Sequence, residues 1–355
     1  MEAKPLLERL TQAHGVAGYE GDVRAVVREV LGPLVDEMRV DALGNVIAVK
    51  RGTGAEPRRR LLLAGHMDEI GMAVVAQREA MLQVTTIGGI DPRTVLGQEV
   101  VVHGKRRLRG ILGSRPPHVV PLEARSKPVP IQELYVDTGL SAEAVRELVS
   151  VGDVVSIRGD FTELVGGAVA SKAMDDRAGV AAVILAVDHL SRMEHSWDVV
   201  AVATTQEERG LLGATVAGYG VVPDAAIAVD VGFAKQQGVG DHESIALDGG
   251  PAIAWGANAH PVMARRLGEV AEAWEIPYQQ EFIPGRSGTD AWALQVTRSG
   301  VPTAVVSIPL RYMHTVVELL TVRDLERTGR LLAAFAASLD EGTAQEMGLA
   351  KEVSA

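Results

Sequence analysis

LLLAGHMDEIGMAV, residues 61–74, starts as an apolar run, stops in charge at His66, Asp68 and Glu69, and restarts as a different kind of segment. A short apolar run bounded by polar residues reads as a buried central strand of an α/β sheet. Its charged end reads as the edge at which such sheets carry ligands.

The chain on either side sets the frame. Upstream, residues 4–15 and 21–35 have helical spacing, and Val23, Val26, Val27, Val30 and Leu31 form one apolar stripe. MRVDALGNVIAVKRG, residues 38–52, alternates like two strands joined at Gly44-Asn45. Beyond residue 74 the texture becomes Val-rich and turn-punctuated, and SAEAVRELV is its only clear helical patch, with Ser141 as cap. RPPHVVPLEARSKPVP, residues 115–130, holds five prolines and reads as an exposed loop. Alternation of helix and strand returns with DDRAGVAAVILAVDHLSRM (175–193), WDVVAVATT, EERGLLGATVAG, AAIAVD, PVMARRLGEVAEAW, VPTAVVSIP and a closing helix from TVRDLERTGR. The expected class is therefore α/β, with a mixed sheet covered on both faces. Residues 1–73 and 164–355 make one discontinuous domain, and 74–163 a β-rich insertion.

Bulk properties narrow the function. The 355 residues are 47% hydrophobic and 23% charged, an ordinary globular balance. A net charge of −11 argues against nucleic acid and acidic membranes as partners. Without cysteine there is no thiolate chemistry and no thiolate metal site. The N-terminus has no apolar leader and no stretch is long enough to span a bilayer, so a soluble cytoplasmic protein is expected.

Charge recurs at the strand ends. His66 and Asp68 close one strand, Glu207 and Glu208 another, and Asp230 a third; His314 lies just beyond a fourth, and Asp175-Asp176 open the long helix. Two histidines and several carboxylates suit a borderline-soft divalent metal. Three carboxylates with two histidines allow a pair of ions sharing one carboxylate. Each feature alone also has a structural explanation: strand ends are solvated, and acidic pairs favour helix N-termini. Neighbouring helical residues diverge, so Glu207 and Glu208 cannot serve the same role; one as ligand and one as base uses that divergence.

Other signals are weaker. The Gly-rich stretches make neither GxGxxG nor GxxxxGK[ST], and no GxSxG elbow occurs. GRSGTDAW, residues 285–292, fits a substrate loop or a simple helix cap. His103, His118, His195, His242 and His260 lack a comparable setting and are expected on the surface or behind the site.

In order, GHMDEIG, MDDRAG, EERGLLGA, the Asp of AIAVD, GTDA and RYMHT resemble the di-metal aminopeptidases that form tetrahedral particles, among them glutamyl and deblocking aminopeptidases, some labelled endoglucanase. The resemblance covers about residues 5–340. It implies a zinc-peptidase-like α/β/α sandwich interrupted by a small β-barrel-like domain. Two divalent ions, zinc or cobalt, are implied: His66 and Asp230 on one, Glu208 and His314 on the other, Asp175 bridging. Glu207 is then the general base toward a metal-bridging hydroxide, and Asp68 fixes the tautomer of His66. Short peptides are the implied substrates, and dimers assembled into a dodecamer the implied homo-oligomer. Thr315 stands where the family usually has serine, and it keeps the hydroxyl.

Two other readings use the same residues. A deacylase or carboxypeptidase-like hydrolase would need a basic pocket, for which Arg286 and Arg311 are the near-motif candidates. A non-catalytic, metal-stabilised protein would have no use for a free Glu207. Glycoside hydrolysis fits poorly, because it needs two carboxylates not committed to metal.

Overall fold

The structure, a computed structural model, describes residues 1–124 and 127–349. Two positions of the proline-rich loop, 125 and 126, lie outside the described residues. The chain opens with helices α1 (Ala3–Gln12) and α2 (Gly21–Leu31), then strands β1 (Glu37–Val40), β2 (Val46–Lys50) and β3 (Arg60–His66). Next come β4 (Gly71–Arg78), β5 (Met81–Ile87), α3 (Pro92–Val95), β6 (Glu99–His103), β7 (Arg107–Gly113), β8 (Tyr135–Asp137), α4 (Ala142–Leu148) and β9 (Val154–Ile157). The second half holds β10 (Thr162–Glu163), β11 (Ala168–Ser171), α5 (Met174–Leu190), β12 (Asp198–Thr204), α6 (Leu212–Val221), β13 (Ala225–Phe233), β14 (Ala252–Gly256) and α7 (Pro261–Ala273). It ends with β15 (Gln279–Ile283), α8 (Ala291–Gln295), β16 (Thr303–Leu310), β17 (Glu318–Thr321), α9 (Val322–Ser338) and α10 (Glu341–Glu346).

Eight strands form one mixed sheet in the order β1-β2-β12-β3-β13-β16-β14-β15. The central four, β12, β3, β13 and β16, run parallel. Their apolar runs are continuous because both faces are covered. On β3, Leu61 and Leu63 pack into the core under α1, α2, α5, α7 and α9, while Leu62 and Ala64 pack against α6 and α8. The side-chain period of two sends alternate residues to opposite faces. His66, Asp230 and Ser307 fall on the α6/α8 face, at the carboxyl ends of neighbouring strands.

β4 to β9 close into a six-stranded antiparallel barrel over Gly71–Ile157 with a core of its own. Its strands alternate as a small filled barrel requires: along β7, Leu108 and Leu112 are buried and Arg107, Arg109 and Ile111 are exposed. Ser141 caps α4 by accepting from the Ala144 N–H. A three-stranded sheet, β10-β11-β17, flanks the junction. Among the described residues no helix is long and apolar enough to cross a membrane.

Two local expectations change. Glu207–Arg209 is a single 3-10 turn and α6 starts at Leu212, because Gly210 and Leu211 both take positive φ. Asp175 and Asp176 are non-helical in φ/ψ, so they precede the regular part of α5 and do not decorate its first turn.

Candidate metal centre

The sheet edge brings together five of the predicted side chains. Donor atoms of His66, Asp175 and Asp230 lie within 4.8 Å of one another, as do those of Asp175, Glu208 and His314. Asp175 belongs to both groups through different oxygens: Oδ1 is 3.0 Å from His66 Nε2, and Oδ2 is 3.3 Å from His314 Nε2. Glu208 Oε1 lies 3.3 Å from the same His314 nitrogen. Glu207 joins neither group; its Oε2 stands 3.9 Å from His66 Nε2.

Local structure explains each placement. His66 ends β3 and Asp230 lies near the end of β13, two adjacent parallel strands. Asp176 steadies the first of these by accepting from the His66 N–H at 3.1 Å. Asp68 does more than face His66. Its carboxylate accepts from the backbone N–H groups of Glu207 (3.0 Å) and Glu208 (3.1 Å). His66 Nδ1 is met by the Asp68 carbonyl at 3.3 Å, with the carboxylate farther off at 3.6 Å. Asp68 therefore anchors the turn that aims both glutamates into the cleft.

His314 sits at φ 60°, a left-handed conformation that costs a histidine ~1–3 kcal/mol. Glu318, which sequence reasoning missed, holds it there. Glu318 Oε1 accepts from the His314 N–H at 2.7 Å, and Oε2 from the Asp175 N–H at 3.1 Å. One buried carboxylate thus ties together two donor-bearing segments. The Thr315 hydroxyl donates to the Tyr312 carbonyl at 2.6 Å and closes the same turn. The barrel also contributes, because the Gly89 carbonyl accepts from His314 Nδ1 at 3.1 Å and leaves Nε2 free as a donor to metal. A methyl group on Gly89 would lie 2.7 Å from that ring, so the approach requires glycine.

The electrostatics fit cations. Burial, joined by the negative charge of its neighbours, pushes Glu207 up to about 10. Burial and the Asp175 charge likewise raise Asp230 well above the usual carboxylate range. Burial raises Glu318 to about 8 and Asp290 to about 6. Hydrogen bonds to Asp175 and Glu208 hold His314 up at about 11. Asp175 moves the other way: burial opposes ionisation, and the two histidines overcome it. Asp290 Oδ2 accepts from the Thr204 hydroxyl at 2.5 Å, and Oδ1 has no hydrogen-bond partner among the described residues. The ion-pair partners of Asp175 and Glu208 are the histidines His66 and His314. An all-N/O donor set carrying excess negative charge suits divalent ions.

The donors open onto a cavity of about 1010 Å³ between the 241–245 loop, β15 and the 284–289 segment. Of the remaining histidines, His242 lines this cavity, His195 is buried against the Trp197 carbonyl, and His103 meets Ser156 in the barrel. Arg286 lines the cavity with its guanidinium 5.4 Å over the Trp292 ring, whereas Arg311 bonds the Lys235 carbonyl.

Comparison with known proteins points to one peptidase family. The profile described as M42 glutamyl aminopeptidase matches residues 44–331. A lysyl aminopeptidase of Pyrococcus furiosus is 37% identical over 93% of this chain and 95% of its own. A TET aminopeptidase from a marine-sediment Thaumarchaeota archaeon superposes with a TM-score of 0.92 at 33% identity, covering 97% of this chain and 98% of its own. The TET1 peptidase of Pyrococcus horikoshii, described as assembling into a tetrahedron or a large octahedral shell, reaches 0.84 at 33% identity, over 95% and 100%.

Proposed function

The chain belongs to the M42 glutamyl aminopeptidase family, and from that premise we propose that it removes N-terminal residues from short peptides with two divalent ions, zinc or cobalt. The observation that carries the reading is the sharing of Asp175 between two donor groups. His66, Asp175 and Asp230 would hold one ion, and Asp175, Glu208 and His314 the other. Bound there, the pair supplies Lewis acidity toward the scissile carbonyl and brings the pKa of a water toward neutrality.

The chain's own residues do the rest. Glu207 lines the cavity, lies outside both donor groups and has its backbone pinned by Asp68. It accepts the proton of the attacking water and returns it to the departing amine. Asp230 gives the substrate's free α-amine an acidic seat, which sets the cut at the first peptide bond. We place the enzyme in the cytoplasm as dimers joined into a dodecamer; the horikoshii relative is described as closing into a tetrahedron or a large octahedral shell, and another solved relative as a dodecamer.

Chelation tests the reading. Metal-free protein should lose at least ~10²-fold in activity, regain it with zinc or cobalt, and cleave aminoacyl-p-nitroanilides but not their N-acetyl forms. Full activity without metal would overturn the two-ion reading, and cleavage confined to acetylated compounds would establish a deacylase. Glu318→Gln keeps one acceptor and replaces the other with an N–H₂ donor. It should weaken zinc binding by ~10–100-fold in chelator competition, while the melting temperature of the metal-free protein moves little. Unchanged zinc affinity would remove Glu318 from the site.

A further inference from the structure

We propose that Glu281 floors a side-chain subsite of this cleft that takes a basic N-terminal residue, lysine or arginine. The inference rests on the aminopeptidase reading and names its substrate class. Glu281 lies on β15, the edge strand, and its side chain turns onto the same sheet face as Asp230, with Ser307 between them. Ser307 pairs with Asp230 across β13 and β16, and its hydroxyl donates to Glu281 Oε2 at 2.6 Å. The other oxygen faces back toward the metal centre: a methyl group on Gly232, two residues beyond Asp230, would lie 3.1 Å from Oε1. Asp230 and Glu281 thus stand three strand spacings apart, ~15 Å between backbones, which their side chains shorten. A substrate α-amine seated by Asp230 leaves a long side chain room to reach Oε1.

The surroundings select the charge. Among the described residues no lysine or arginine lies within salt-bridge distance of Glu281, and partial burial raises its carboxyl from the ordinary range, opposed by the Ser307 hydroxyl. Glu281 is half-buried; a partly desolvated carboxylate without a cation is costly, and a ligand ammonium or guanidinium supplies what is missing. Phe233, Ile245, Ile283 and Met313 line the route and suit an aliphatic stem. Of the other charges on the cavity wall, Asp241 pairs with Lys235 at 2.8 Å, Glu243 lies 3.7 Å from His242, and Arg286 lies over Trp292. An acidic side chain would meet the Glu281 carboxylate directly.

The test is steady-state kinetics of the metal-loaded enzyme on lysyl-, arginyl-, leucyl- and glutamyl-p-nitroanilide, for the native chain and Glu281→Gln. Gln retains an acceptor for Ser307, and its melting temperature reports folding. The native enzyme should favour lysyl and arginyl over glutamyl substrate by ~10²-fold or more, the direction set by desolvated like and unlike charges. Glu281→Gln should lower kcat/KM for the basic pair by ~10-fold or more, through KM, and leave the leucyl substrate within a factor of about two. An unchanged lysyl-to-leucyl ratio in the variant, or a native preference for glutamyl substrate, would overturn the subsite alone. Failure to cleave any of the four would overturn the aminopeptidase reading itself.

Discussion

Glu207→Gln lowers kcat by ~10³-fold, within the 10²–10⁴ range for a positioned proton carrier, and leaves two ions per chain. The substitution preserves shape and removes only the capacity to take a proton. Its backbone N–H still donates to Asp68, so the turn that also carries Glu208 stays in place. The loss amounts to ~4 kcal/mol of barrier and appears in kcat and kcat/KM alike, because substrate binding does not use the proton. Metal content by elemental analysis alongside steady-state rates checks it. Activity near the native value would reassign the base, and loss of metal would show that Glu207 is a donor. Asp68→Asn is the companion variant, acting through the turn alone: an amide cannot accept from both N–H groups, so it should disturb Glu207 and Glu208 together.

The residues legible in the sequence are those that sit where an apolar run stops. His66, Asp230 and the Glu207-Glu208 pair were marked by the strands in front of them, because a strand buried on both faces leaves a sharp hydropathy edge. The barrel was marked by the change of texture after β3. What stayed hidden depends on contacts distant in the chain. Asp68 lies two residues from His66, yet its carboxylate serves backbone groups 139 and 140 residues away. Glu318 has no periodicity to announce it; it follows His314 by four residues and acts on Asp175 across 143. Gly89 reads as one more turn glycine until the barrel brings it onto the His314 ring. β15, QQEFI, is polar and half exposed because it is an edge strand, so neither apolar run nor clean alternation points to Glu281.

Asp175→Asn should abolish binding of at least one ion and weaken the other by ~10²-fold, the upper end for disturbing a metal-site ligand. Both oxygens are in use in the native chain, Oδ1 toward His66 and Oδ2 toward His314. An amide offers one oxygen and puts an N–H₂ where the second donor stood, so it can serve one group and repels an ion from the other. The lost negative charge acts further, since two dications so close together depend on the shared carboxylate to reduce their mutual repulsion. His66→Ala or His314→Ala removes a donor from one group only, and each should leave the opposite group able to hold an ion. Titrating metal-free protein with zinc separates these cases. The single-histidine variants should show one retained site, and Asp175→Asn should show at most one, weakened. Two sites of native affinity in Asp175→Asn would mean that the groups are independent and the shared carboxylate carries no metal. The shared oxygen pair is therefore the feature on which the two-ion reading stands, and this variant tests it without relying on any rate.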